Sequence, residues 1–166
     1  MMVHPIPQTS APAPRKTALV TGCAGFVGSH LTAALLALGH RVIGVDNFFS
    51  GKPENMRDFR AHPNFHFFER SVMDEGVWED IFARFGPVHA VFHLAAIVSV
   101  PYSMAHADET YAVNYLSTER LLDAARVAGA ARFVFAGSAA EYGAEERMPV
   151  REVYATDETV QLSPYG

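Results

Sequence analysis

The sequence predicts an α/β fold: one parallel, doubly wound sheet with helices on both faces. Three observations carry this expectation. Five short apolar runs alternate with helical segments at the spacing of βαβ units. Glycines close two of the helical segments, Gly39 and Gly129. A glycine-rich turn joins the first apolar run to the first helix.

In chain order, Thr17-Ala-Leu-Val-Thr21 reads as a buried parallel strand. Residues 26–38 follow as a helix ended by Gly39. Arg41-Val-Ile-Gly-Val-Asp46 is a second, β-branched run closing on an acid, and Pro53 suits the first turn of another helix. Residues 65–69 form a third strand, and 74–85 a helix with Asp74 as its N-cap. Residues 90–95 make the fourth strand, 103–128 a long helix, and 132–136 the fifth strand. Residues 145–163 read as a long loop of charged and turn-forming residues. Right-handed crossovers make 3-2-1-4-5 the expected strand order, with a flavodoxin-like order as the alternative that the glycine pattern disfavours.

The chain has 166 residues, 49% of them hydrophobic, enough for one domain with its own core. A net charge of −5 gives no electrostatic reason to expect nucleic acid or anionic membrane as partner. No apolar run approaches the roughly 20 residues that span a bilayer. The single cysteine, Cys23, excludes an internal disulfide and fits a reducing, cytoplasmic setting. Its place in the glycine turn calls for a small residue more than for a reactive thiol. Residues 1–14, rich in Pro, Ala, Ser and Thr, read as a disordered leader, which leaves 15–166 as the folded unit.

Thr21-Gly-Cys-Ala-Gly-Phe-Val-Gly28 joins the first strand to the first helix. Gly22 can take the tight turn, Gly25 lets backbone approach a pyrophosphate, and Gly28 lets helix and sheet pack closely. The helix N-terminus offers free N–H donors and a partial positive charge to phosphates. Asp46 ends the second strand, where a carboxylate can accept hydrogen bonds from ribose hydroxyls and repel a 2′-phosphate. The expected fold is thus a Rossmann-type domain, with NAD as cofactor. Lys52, a nearby base, is the feature that points instead to NADP. Taken singly, the glycines are plain turns and Asp46 a solvated strand end; their joint placement favours the dinucleotide.

The glycines are spaced G-x-x-G-x-x-G. They are followed by Asp46-Asn-Phe-Phe-Ser-Gly51, His93-Leu-Ala-Ala96, Asn114-Tyr-Leu-Ser-Thr118, Ser138-Ala-Ala-Glu-Tyr-Gly143 and Ser163-Pro-Tyr-Gly166. With these motifs in order, the chain resembles the extended short-chain dehydrogenases/reductases, and within them the NAD-dependent epimerase/dehydratases of the UDP-glucose 4-epimerase type. The resemblance implies that Phe26 and Val27 offer backbone to the pyrophosphate. It implies that the stretch Asp46, Asn47, Phe48, Phe49, Ser50 and Gly51 borders the adenosine, with Ser71 and Val72 nearby. Leu94, Ala95, Ala96 and Val98 would line the cofactor, and Asn114 would lie toward the nicotinamide and interrupt its helix. Ser138 and Tyr165 match the catalytic serine and tyrosine. The implied partner is a nucleotide sugar, and the implied assembly a homodimer.

The implied chemistry is 4-epimerisation: Tyr165 as phenolate takes the proton of the sugar 4-hydroxyl while hydride passes to NAD, and the 4-keto sugar takes it back on its other face. Three departures bear on this. Ser71 stands where the family often has an acid, Gly137 where a serine often precedes the catalytic one, and the lysine that helps ionise the tyrosine would fall at position 169, past Gly166. The 166 residues alone are therefore expected to bind NAD weakly or not at all and not to turn over, and residues 132–136 are expected to form a bare apolar edge. Ala139 and Ala140 replace the Asp-Glu pair of the related dehydratases, which disfavours dehydration. The alternatives are a nucleotide-sugar decarboxylase or reductase and a non-catalytic dinucleotide-binding module. No metal is expected: His89 and His93 on one strand would lie roughly 13 Å apart. Phe48, Phe49 and the phenylalanines of 65–68 read, from the residues alone, as core.

Overall fold

The computed structural model describes residues 15–156 and 159–165; the expected leader and Gly166 lie outside the described residues. Five strands form one parallel sheet: β1 (Thr17–Thr21), β2 (Arg41–Asp46), β3 (Phe65–Glu69), β4 (Ala90–His93) and β5 (Arg132–Phe135). Their order is β3-β2-β1-β4-β5, the doubly wound order expected from the sequence and not the flavodoxin-like one. Successive strand side chains point to opposite faces, so a strand covered on both sides needs an unbroken apolar run. Leu19 of β1 packs with Ile43, Val91, Trp78, Ile81 and Leu121 on one face. Val20, its neighbour, packs with Val42, Leu36, Met56 and Phe59 on the other.

The first helix, α1 (Phe26–Ala37), ends at Gly39, whose φ is +80°. The Gly39 N–H reaches Leu36 O at 2.9 Å and the His40 N–H reaches Leu35 O at 3.0 Å, which satisfies two terminal carbonyls. The proline-led segment after β2 is a single 3-10 turn, Pro53–Met56.

Two helices differ from expectation. The second, α2, spans Val77–Phe85, and its N-cap is Gly76, not Asp74. The Asp74 carboxylate is engaged elsewhere: it accepts from Arg70 Nε at 2.7 Å and from the Ser71 N–H at 3.1 Å. The long helix expected over 103–128 starts earlier and is broken. It opens as α3 (Val100–Ala105), capped by Ser99, with Pro101 tolerated in the first turn. His106, at φ −134° and ψ 56°, interrupts it. It resumes as α4 (Ala107–Tyr111), widens into a π turn (Ala112–Leu116) and continues as α5 (Ser117–Val127).

β4 stops at His93, short of Ala95, because the Leu94 and Ala95 amides leave the ladder and donate to Thr21 Oγ1 at 3.1 Å each. The Thr21 hydroxyl proton is then free for His93 Nδ1, 2.7 Å away. Across the ring, His93 Nε2 lies 3.0 Å from Thr118 Oγ1, whose own proton goes to Asn114 O at 2.7 Å. The directions of these bonds fix His93 as neutral, with its proton on Nε2. The Asn114 side chain completes the set, accepting from the Ile97 N–H at 2.8 Å and donating to Ile97 O at 3.0 Å. Thr21 and Asn114 thereby pin both ends of residues 94–97, a stretch with no strand partner.

β5 forms one edge of the sheet, and Val134 and Phe135 on it are 44% and 56% exposed. An apolar edge of this kind invites pairing with another strand.

Two stability predictions follow from this packing. A methyl group on Gly28 would overlap the Gly22 carbonyl, whereas one on Gly39 meets nothing within 4 Å. Gly28→Ala is therefore expected to cost about 2 kcal/mol or more in urea unfolding, and Gly39→Ala only about 1 kcal/mol for its left-handed backbone. The opposite ranking would refute the close crossing. Burial holds the His93 pKa down to about 4, from an ordinary value of 6.5. A depressed folded pKa favours the neutral ring, so its contribution is complete above pH 6.5 and is lost as pH falls toward 4. The full loss amounts to about 3 kcal/mol. A His93→Asn chain should lose less stability than the parent between about pH 7 and about pH 4.5, and equal losses would count against the network.

Candidate functional site

In a doubly wound sheet the chain runs outward from β1 in one direction and then crosses to the other side, leaving a crevice at the carboxyl ends of β1 and β4. Here that crevice is a cavity of about 500 Å³. Gly22, Gly25, Phe26, Val27 and Gly28 form one wall, and Leu94, Ala95, Ala96 and Val98 face them. Asp46, Asn47, Ser50, Gly51, Ser71 and Val72 line the end beneath β2 and β3.

The glycine turn is built by steric necessity. Gly22 sits at φ +69°, and a side chain there would meet the Ala95 amide at 2.9 Å. Gly25 is the N-cap of α1 and supplies no capping side chain, so the first-turn N–H groups face the cavity without a protein partner of that kind. Together with the helix dipole they favour an anionic group at this end of the cavity.

Asp46 is 8% exposed and does more than line the cavity. Its Oδ2 accepts the Ala24 N–H at 2.9 Å, and its Oδ1 accepts the Phe48 N–H at 2.8 Å. The Ala24 carbonyl in turn receives the Lys52 N–H at 3.0 Å and Asn55 Nδ2 at 2.7 Å. A Cβ at Gly51 would lie 2.8 Å from Asp46 Oδ1, so glycine is what lets the loop close over the carboxylate. Lys52 binds here through its backbone, and its exposed side chain does not line the cavity.

Three candidates lie apart from the cavity wall. Asn114 is turned to the Ile97 backbone, where it holds the wall without forming it. Ser138 caps the 3-10 turn Ala139–Tyr142, accepting the Ala140 N–H at 3.2 Å, and Tyr165 is half-buried in a turn near the end of the chain. Neither is among the cavity-lining residues. Cys23 is fully buried, and burial, with the Asp46 charge second, pushes its thiol far up, so it stays protonated.

Phe49 departs from its reading as core: it is 51% exposed and lines the cavity. Arg70, Met73, Glu109, Ala112 and Val113 also line it and were not picked out from the sequence. Arg70 and Met73 flank Ser71 and Val72 just past the carboxyl end of β3, where this sheet type places ligands, and that position was a usable signal. Glu109 lies just past the break at His106, which no sequence pattern announces, and Ala112 and Val113 lie in the π turn, where the resemblance implied an interruption of the helix at Asn114.

Among the described residues no group of three or more His, Cys, Asp or Glu could hold a metal ion, and no helix is long and apolar enough to cross a membrane.

Comparison with known proteins bears on the same stretch. The chain is 38% identical over 135 residues to UDP-glucose 4-epimerase of Mycolicibacterium smegmatis, covering 81% of this chain and 42% of that protein. It is 37% identical over 140 residues to UDP-glucuronic acid decarboxylase 1 of Danio rerio, covering 84% and 31%. Among solved structures it is similar to UDP-glucose 4-epimerase of Thermotoga maritima with UDP-glucose, at a TM-score of 0.79, 36% identity and coverage of 90% and 46%. It is also similar to the UDP-glucose 4-epimerase of Thermus thermophilus in complex with NAD, at a TM-score of 0.77, 36% identity and coverage of 90% and 46%. The chain thus spans less than half the length of these relatives. The model of the NAD dependent epimerase/dehydratase family matches residues 18–166. With that match laid over the whole sheet and its cavity, the chain belongs to the NAD-dependent epimerase/dehydratase family.

Proposed function

We propose that this chain is the NAD-binding part of a nucleotide-sugar epimerase. The observation that carries the reading is the joining, in one cavity, of a helix N-terminus without a side-chain cap to a buried carboxylate at the end of β2. The cradle suits the cofactor because side chains at Gly22 and Gly28 would strike the backbone of residues 94–95 and of the turn itself, so glycine lets the turn close tightly at the start of α1. Gly22, Gly25, Phe26, Val27 and Gly28 would hold the pyrophosphate. Asp46 would take the ribose hydroxyls, with Asn47, Ser50, Gly51, Ser71 and Val72 around the adenosine. Leu94, Ala95, Ala96 and Val98 would flank the rest, with Asn114 positioning them.

A bound nicotinamide supplies a reversible hydride acceptor. The protein's own part is to orient the sugar and to move one proton. In this reading the Tyr165 hydroxyl, once ionised, takes the proton from the sugar 4-hydroxyl, and Ser138 steadies that hydroxyl by hydrogen bonding. An unperturbed tyrosine ionises near about pH 10, so it needs a nearby positive charge to act at neutral pH. The decarboxylase relative in Danio rerio supports a second reading, in which the same oxidation of the sugar is followed by loss of a carboxylate. A binding module without catalysis is the third.

The cofactor is tested by calorimetric titration of the chain with NAD and NADP. NAD is expected to bind at least about tenfold more tightly, since Asp46 repels a 2′-phosphate and Lys52 stands off the cavity. Equal or tighter binding of NADP would defeat this assignment.

The proposed assembly is a homodimer. Tyr111, Tyr115 and Leu122 on the long helix are about half exposed, and the two tyrosine rings stack at 5.0 Å. Sedimentation of the chain is expected to show self-association that Tyr115→Lys weakens; a monomer at high concentration would argue against it.

A further inference from the structure

Two cavity-lining residues from different elements, Phe49 in the loop after β2 and Glu109 on α4, are joined by a third that does not line it. Tyr102, on α3, meets the Phe49 ring edge-on at 5.2 Å and 77°. Its hydroxyl donates to Glu109 Oε2 at 2.7 Å. Behind it, His106 stacks on the same ring at 4.2 Å and 22°, which backs it against the non-helical break between α3 and α4.

The loop after β2 is shaped to present Phe49 there. Phe48 adopts φ +58°, an uncommon conformation for a residue with a side chain, and its N–H is fixed by Asp46 Oδ1. Its ring turns inward, 5.5 Å from that of Phe67. The Phe49 N–H is bound to Asn47 Oδ1 at 3.1 Å, and its ring turns the other way, to Tyr102. A half-exposed phenylalanine held in this manner is not explained by packing of the core.

We propose that Phe49, Tyr102 and Glu109 form a latch between the loop after β2 and α4 that slows release of the bound dinucleotide. The inference rests on the reading of the cavity as an NAD site. A ligand lying between the glycine turn and residues 94–98 leaves past the loop that carries Phe49, so the contact with Tyr102 must open first. Tyr102 is a positioning residue: it reaches the ligand only through Phe49 and Glu109. An aromatic pair of this kind is worth about a three- to tenfold change in a rate.

The test is stopped-flow release of NADH, chased with excess NAD and followed by NADH fluorescence. Tyr102→Ala is expected to speed release about three- to tenfold while the association rate stays the same or rises. Tyr102→Phe, which keeps the ring contact with Phe49 but loses the hydrogen bond to Glu109, should release at a rate between those of the parent and Tyr102→Ala. Adding Phe49→Ala to Tyr102→Ala should give no further acceleration beyond the direct effect of Phe49→Ala alone. Normal binding with an unchanged release rate in Tyr102→Ala would overturn the latch and leave the NAD reading intact. A lower urea midpoint of ligand-free Tyr102→Ala with unchanged release would assign Tyr102 to stability and equally overturn it. A parent chain that takes up no NADH would overturn both.

Discussion

The geometry of the cavity depends on one buried carboxylate. Asp46 ties the glycine turn after β1 to the loop after β2 by accepting one backbone N–H from each. A charge removed from water is costly unless donors surround it, so both loops must bring their amides to this point for the fold to be stable. Ala24 is thereby held at its N–H by Asp46 and at its carbonyl by Lys52 and Asn55. The wall proposed to receive phosphate and the charge proposed to take the ribose are consequently not separate features. To change the acid is to loosen the turn.

A second tie acts on the far wall. Residues 94–97 belong to no strand or helix, yet Thr21 and Asn114 engage the amides of Leu94, Ala95 and Ile97. His93 joins these two anchors through the Thr21 and Thr118 hydroxyls, and its burial keeps the ring uncharged. The chemistry assigned to Ser138 and Tyr165 lies elsewhere, on half-buried turns beyond the exposed edge strand β5. The molecule thus divides into a stiff receptor and a more open segment that carries the candidate reactive groups.

How much could be read from the sequence follows from which forces leave a pattern. Strands β1 and β2 were legible to the residue because both their faces are covered by apolar side chains, and β3 because its phenylalanines pack on both faces despite His66. The helix stop at Gly39 was legible because a left-handed residue leaves glycine behind. Asp74 misled, since an acid before a helix reads as a cap whether or not an arginine four residues earlier has claimed it. The break at His106 and the early end of β4 were invisible because hydroxyls and amides far apart in sequence decide them. Phe49 was placed beside the cavity only by the resemblance, since by residue type alone an exposed phenylalanine and a buried one look the same.

The π turn at 112–116 has a consequence for how the long helix is used. A regular helix advances about 100° per residue, and a π turn accommodates one residue more than the α spiral would. The segments before and after it are therefore rotated out of phase, as two gears keyed at different angles on one shaft. Glu109, Ala112 and Val113 face the cavity, while Leu121 and Ala125 sink into the core beneath the sheet. One rod serves two surfaces, and the extra residue sets the angle between them: losing or gaining a residue there would swing one surface by about 100°, away from its task.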